Sequence, residues 1–127
     1  HRVMRLLPQK GRFIHLGCGY GVLGFLLVYD SAERQLTGWD IDYDKIRVAQ
    51  HTFTANRYPI RFHADLPTTG AFDVVIVSGQ APPALQRFIP NAQWVVLENA
   101  EDQAHLLQSS GFREVEATGP IKAFHKA

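Results

Sequence analysis

Gly17-Cys18-Gly19-Tyr20-Gly21 stands between an apolar β-rich run, Phe13-Ile14-His15-Leu16, and an apolar stretch that begins at Val22. A chain that leaves a strand, turns sharply and starts a helix at once needs positive-φ residues. It also needs main chain without Cβ groups, which leaves N–H groups at the helix start open to a ligand. The flanking pattern agrees with that reading, because apolar β-rich runs alternate with amphipathic stretches along nearly the whole chain, as in βα units around a mostly parallel sheet. A helix over His1 to Leu7 is stopped by Pro8, and strands are expected at Arg12 to Leu16, Gln35 to Ile41, Arg61 to Ala64, Phe72 to Ser78 and Gln93 to Leu97. Helices are expected at Val22 to Tyr29, at Tyr43 to Asn56 with Asp42 as N-cap, from Pro82-Pro83 to Phe88, and at Asp102 to Ser110 before Gly111. Val74-Val75-Ile76-Val77 is the continuous apolar run of a central strand. Arg113 to Ala117 and Ile121 to Lys126 flank Thr118-Gly119-Pro120 and form an antiparallel hairpin.

Composition removes several classes. A chain of 127 residues, 46% hydrophobic and 20% charged, is the size of one soluble domain, so residues 1–127 are read as a single unit. Cys18 is the single cysteine and has no partner for an internal disulfide, and six scattered histidines with one thiol make no closed zinc framework. A reducing, cytoplasmic location is expected. No apolar run is long enough to cross a bilayer and no signal-peptide core is present, so membrane insertion is not expected. Thirteen Lys and Arg against twelve Asp and Glu leave a net charge of +1, and no nucleic acid partner is expected from such a balance.

The strand after the glycines ends near Asp40, 19 positions beyond Gly21. A carboxylate there can accept hydrogen bonds from both hydroxyls of a ribose, so glycine loop and acid together imply an adenosine-type ligand. Two registers compete. Gly19, Gly21 and Gly24 match G-x-G-x-x-G, the dinucleotide fingerprint, but this needs the first strand to run on through Cys18. Gly17, Gly19 and Gly21 directly after the strand fit better, and in that register Phe13 to Gly21 resembles the first motif of class I S-adenosylmethionine-dependent methyltransferases. Gly38-Trp39-Asp40-Ile41-Asp42 resembles that family's second motif, and His63-Ala64-Asp65-Leu66 its third. Phe72 to Val77 is similar to its fourth strand, and Leu106 to Phe112 to the helix and turn before the terminal strand pair. The likeness runs from about residue 10 to residue 127 with every motif in order.

The resemblance implies an α/β fold: a Rossmann-like three-layer sandwich whose mostly parallel seven-stranded sheet ends in an antiparallel hairpin. It implies S-adenosyl-L-methionine as cofactor, with Gly17, Gly19 and Gly21 as the floor under the methionine moiety. Asp40 would hold the ribose and Ile41 would pack on the adenine. Asp65 would face the adenine amino group, Leu66 would offer its backbone, and Ser78-Gly79 would line the pocket. The family's acid two residues before the first glycine is His15 here, and an imidazole there meets the methionine carboxylate or fills a polar niche. Asp73 is read instead as a local turn or cap.

Other groups are read conservatively. Cys18 lies near a helix N-terminus, which favours a thiolate, but a small residue in a tight turn explains it. His51, His63, His105 and His125 share no short helical spacing. Ser78 lacks a G-x-S-x-G elbow, which argues against a hydrolase. Gln80-Ala81-Pro82-Pro83 departs from the pattern of base-modifying methyltransferases. The function expected is methyl transfer to a small-molecule or lipid-like acceptor. Run Gly17 to Leu27 is similar to methyltransferases of bacterial lipid-like and polyene pathways, and no catalytic residue is assigned. Aminocarboxypropyl transfer is the alternative, since the segments around Asp40 and Asp65 also resemble nicotianamine-synthase-like enzymes; a noncatalytic module is the third reading. The partners expected are a small-molecule substrate and, at most, a second copy in a homodimer. Strands, helices and cofactor motifs use nearly all the residues, leaving Ser78 to Ala81 to face the acceptor. A substrate cover is therefore expected from residues before His1, from a second subunit or from the acceptor.

Overall fold

The computed structural model describes residues 2–55, 57–58, 60–68, 70–80 and 82–127. Its seven strands are β1 (Gly11–Leu16), β2 (Arg34–Trp39), β3 (Ile60–His63), β4 (Val74–Ser78), β5 (Trp94–Glu98), β6 (Phe112–Thr118) and β7 (Ile121–Lys126). They form one sheet in the order β3-β2-β1-β4-β5-β7-β6. Neighbours are parallel except at β7, which runs antiparallel to both β5 and β6. The chain builds outward from β1 to β3, then returns to lay β4 on the other side of β1. A crevice therefore opens where β1 and β4 end, the place where open α/β sheets receive ligands.

Both faces of the sheet are covered, which is why the central strands read as unbroken apolar runs. Phe13, Val74, Ile76, Val96 and Ala123 pack on one face with residues from α1 (Arg2–Leu6), α2 (Val22–Asp30) and α3 (Tyr43–Ala55). Ile14, Leu16, Val75, Val77, Leu97 and Phe124 pack on the other, under α4 (Ala104–Ser109) and two 3₁₀ turns. The Asp42 carboxylate accepts the amides of Asp44 and Lys45 at 3.1 and 3.3 Å, the N-cap that starts α3. Asp73 ties the starts of three strands together. Its carboxylate accepts the Arg12 amide at 2.8 Å, and its carbonyl accepts the amides of Gln93 and Trp94.

Several expected boundaries move. Strand β2 stops at Trp39 instead of Ile41, because the Trp39 carbonyl turns to the amides of Gly17 and Cys18 at 2.8 and 2.9 Å, and the Asp40 carboxylate accepts the Asp42 amide at 2.8 Å. The helix expected after Pro82 is two 3₁₀ turns, Pro83–Arg87 and Ile89–Asn91, each with a proline in its first turn. A three-residue 3₁₀ turn at Glu101–Gln103 shortens the last helix to six residues. His1 and Asn56, placed in helices from the sequence, lie outside the described residues, as does Ala81.

Arg34, 1% exposed, is the anchor that the sequence pattern does not reveal. Its guanidinium donates to the carbonyls of Pro8 (2.8 Å), Leu27 (3.0 Å), Met4 (3.2 Å) and Leu7 (3.3 Å) and to the Asp30 carboxylate (3.0 Å). The C-terminal ends of α1 and α2 are thus joined through one cation, the sign their dipoles favour there. Arg34→Leu strands buried carbonyls and is expected to lower unfolding free energy by about 3 kcal/mol or more in denaturant titrations. Arg34→Lys, which keeps the charge and loses the fork, is expected to recover less than half of that.

Candidate functional site

The glycine turn is held by the end of β2. Besides the two amides on the Trp39 carbonyl, the Gly19 amide donates to Asp40 Oδ2 at 2.8 Å, while Asp40 Oδ1 takes the Asp42 amide. Each Asp40 oxygen accepts one amide and keeps a lone pair for a further donor. The three glycines are needed for different reasons. Gly17 has φ +84°, and a Cβ there would stand 2.3 Å from the Ser78 carbonyl oxygen. At Gly21, φ +87°, a Cβ would meet the rings of Phe62 and Phe53 at 2.9 and 3.0 Å, so its smallness serves aromatic packing. Only Gly19, φ +57°, has open space where a Cβ would be. Of the three glycines expected as a floor, Gly19 thus borders open space and Gly17 makes the close approach to β4.

His15, Ser78 and Glu98 lie on one face of three neighbouring strands. Ser78 pairs with Glu98 across β4 and β5, and β1 ends one step earlier, with Leu16 opposite Val77. The Ser78 hydroxyl donates to Glu98 Oε1 at 2.7 Å, and His15 Nε2 lies 2.7 Å from Ser78 Oγ. A hydroxyl has one proton, so His15 Nε2 carries the N–H and Nδ1 is the bare lone pair. That Nδ1 is buried and has no hydrogen-bond partner among the described residues. Burial pushes the His15 imidazole down to about 4, although the Asp40 charge pulls it upward. Glu98 is the functional candidate that the sequence reading missed. Its only signal was a carboxylate at the end of an apolar strand, and its importance depends on β5 lying beside β4.

These three residues line a cavity of about 500 Å³ on the face between α1 and α2. Val3 of α1, Leu7 just beyond its end, and Leu23 and Leu26 of α2 form its side walls. α1 thus forms one wall of this cavity. Farther along the carboxyl edge, Ile41 is 87% exposed, Tyr43 58% and Tyr20 55%, an apolar fringe beside Asp40. Asp65 is exposed, and Leu66 is half-buried against the core of the opposite face. Gly79 has φ +72° and donates its amide to the Glu98 carbonyl at 2.8 Å. Cys18 is not a thiolate site: burial first, and then the Asp40 charge, push its thiol up to about 12. The histidines at 51, 63, 105 and 125 fall on α3, β3, α4 and β7, and His125 lies against Trp94 with ring centroids 4.4 Å apart. Among the described residues no cluster of His, Cys, Asp and Glu could hold a metal, and no helix is long and apolar enough to cross a membrane.

The sequence model of the methyltransferase small domain matches residues 3–112. No curated protein matches the sequence. The fold is similar to that of precorrin-6y C5,15-methyltransferase from Geobacter metallireducens GS-15, with TM-score 0.80 at 9% identity over 98% of this chain and 84% of that one. Magnesium protoporphyrin IX methyltransferase from Synechocystis PCC 6803, solved with SAH bound, gives 0.74 at 15% identity over 99% and 80%. StiE O-MT gives 0.71 at 17% over 91% of this chain, which spans half the length of that one.

His15 makes stability depend on pH. Its folded value near 4 lies below the 6.5 of the unfolded chain, so between these values the unfolded state binds the extra proton. Stability is therefore full above about pH 6.5 and falls as pH drops toward 4, by about 3 kcal/mol in all from this group. Denaturant midpoints of wild type and His15→Asn, compared from pH 7.5 to 4.5, check this; the difference between them is expected to shrink on acidification.

Proposed function

Because the chain belongs to the methyltransferase small domain family, one of the class I S-adenosylmethionine-dependent methyltransferases, we propose that it transfers a methyl group from S-adenosylmethionine to a small-molecule or lipid-like acceptor. The observation that carries this reading is the turn at Gly17 and Gly19, where a Cβ would strike the Ser78 carbonyl at the first position and stand in open space at the second, locked onto an Asp40 carboxylate with lone pairs to spare. The cofactor supplies a methyl group on a sulfonium, which reacts with a positioned nucleophile without much acid or base help.

The protein's share is binding and alignment. Asp40 accepts the ribose hydroxyls, the exposed Ile41 offers an apolar face to the adenine, and Asp65 with the Leu66 backbone reads its polar edge. Main chain at Gly19 forms the floor of the methionine end. His15 stands where the family places an acid, and its one spare atom is an acceptor. A neutral imidazole in that state suits the methionine ammonium and not its carboxylate. Ser78 and Gly79 border the reacting end, with Glu98 beside them.

Adenosylhomocysteine at about 100 times its dissociation constant is expected to stabilise the protein by about 2.7 kcal/mol, seen as a rise in melting temperature. No shift at millimolar ligand overturns the reading. Ile41→Glu, at a position 87% exposed, is expected to leave the unliganded melting temperature unchanged and weaken adenosylhomocysteine about tenfold. Once an acceptor is in hand, mass spectrometry separates the two transfers: adenosylhomocysteine marks methyl transfer and methylthioadenosine the aminocarboxypropyl alternative.

A further inference from the structure

The cavity between α1 and α2 is more apolar than the zwitterionic end of the cofactor requires. A solvent-open space of about 500 Å³ is bordered by aliphatic side chains of α1 and α2, by Gly17, Cys18 and Tyr20 of the glycine turn, and by Ile76 and Val96 as its floor on the sheet. Polar side chains gather at the carboxyl-end wall, where Ser78 and Glu98 stand side by side on β4 and β5. No described residue lining the cavity is Lys or Arg. That polar end is also short of donors. The Ser78 proton is committed to Glu98 and the His15 Nε2 proton to Ser78, and the Nδ1 lone pair is taken by the methionine ammonium on the reading above, so what remains for an acceptor is the unused positions on the Glu98 carboxylate.

A carboxylate or phosphate entering this cavity would meet acceptors and a like charge. A hydrocarbon would leave the Glu98 end unpaired, at a desolvation cost. An alcohol would satisfy one acceptor and bring no opposite charge, whereas an ammonium brings donors and the complementary sign.

Resting on the methyl-transfer reading above, we propose that this cavity receives the acceptor as an apolar amine, its nitrogen at Glu98 and its body between α1 and α2. Glu98 then has two tasks. It pairs with the ammonium on binding and takes one proton from it, which frees the nitrogen lone pair. That lone pair attacks the sulfonium methyl carbon; the C–S bond breaks with its electrons left on sulfur as a neutral thioether, and the methylated nitrogen carries the positive charge. Ser78 holds the carboxylate in place through its hydroxyl, and His15 fixes the direction of that hydroxyl. Both are positioning residues.

The test uses a fluorescent pair of nearly the same shape and opposite head charge, 2-(1-naphthyl)ethylamine and 1-naphthylacetate, titrated into the full chain. The amine is expected to bind about tenfold or more tightly than the acid, the size of a charge-assisted hydrogen bond. Glu98→Gln keeps an oxygen for Ser78 and is expected to bring the two ligands within about threefold of each other. Leu26→Trp, on the part-exposed rim of α2, is expected to weaken both ligands by filling the space their rings need. Equal binding of amine and acid, preference for the acid, no binding of either, or indifference to Leu26→Trp overturns the proposal. Glu98→Gln weakening adenosylhomocysteine as much as the amine also overturns it, since the carboxylate would then serve the cofactor. If the amine preference stands and adenosylhomocysteine fails to bind, the methyl-transfer reading falls while the amine site remains.

Discussion

Everything at the carboxyl edge depends on how the turn after β1 is fastened to the end of β2. Two amides of that turn share the Trp39 carbonyl, and a third reaches the Asp40 carboxylate, which also takes the Asp42 amide. Three N–H groups of the sharp turn between β1 and α2, and one of the connection from β2 to α3, are thereby satisfied within the crevice. The same contacts end β2, begin the approach to α3 through the Asp42 cap, and aim the carboxylate toward the space above Gly19. Loop and acid are thus one structural unit, since the acid cannot be moved without loosening the turn that faces it.

With the usual acid on β1 replaced by His15, negative charge in this site sits elsewhere. The imidazole is neutral and deeply buried, and it acts through Ser78 on a carboxylate two strands away. Glu98 therefore stands in the α1–α2 cavity, which the glycine turn also borders, while Asp40 stands on the β2 side of that turn. On the methyl-transfer proposal, Asp40 faces the cofactor and Glu98 an acceptor that itself brings a positive charge.

What was legible in the sequence is what short-range chemistry decides. Val74-Val75-Ile76-Val77 could only be a strand covered on both faces, Asp42 before a helical pattern could only be a cap, and the glycines demanded a turn between strand and helix. The strand end at Trp39 was misread because its termination depends on amides some twenty residues away, a contact no local pattern records. Pro83 marked a helix start, but Pro90, expected to end that helix, stands in the first turn of a second 3₁₀ turn. Glu98 and Arg34 stayed silent for the same reason as Trp39. Each acts through partners brought in by the sheet order or by helix docking, and a lone charged residue at a strand end has no signature of its own.

Arg34 matters to the cavity as much as to the fold. It sits at the start of β2, at the edge of the sheet opposite the crevice, and its guanidinium holds main-chain carbonyls near the C-terminal ends of both helices that wall the cavity. The walls are tied together at the bottom by directional bonds. Nearer the crevice the facing side chains are aliphatic, with no polar link between them among the described residues, and they are joined only by packing. Opening the cavity to an acceptor then costs apolar contacts near the rim and none of the bonds at Arg34. A ligand with an apolar body replaces the contacts that opening removes, while a hydrated polar one does not. The fold itself thus favours the class of molecule that the Glu98 end selects.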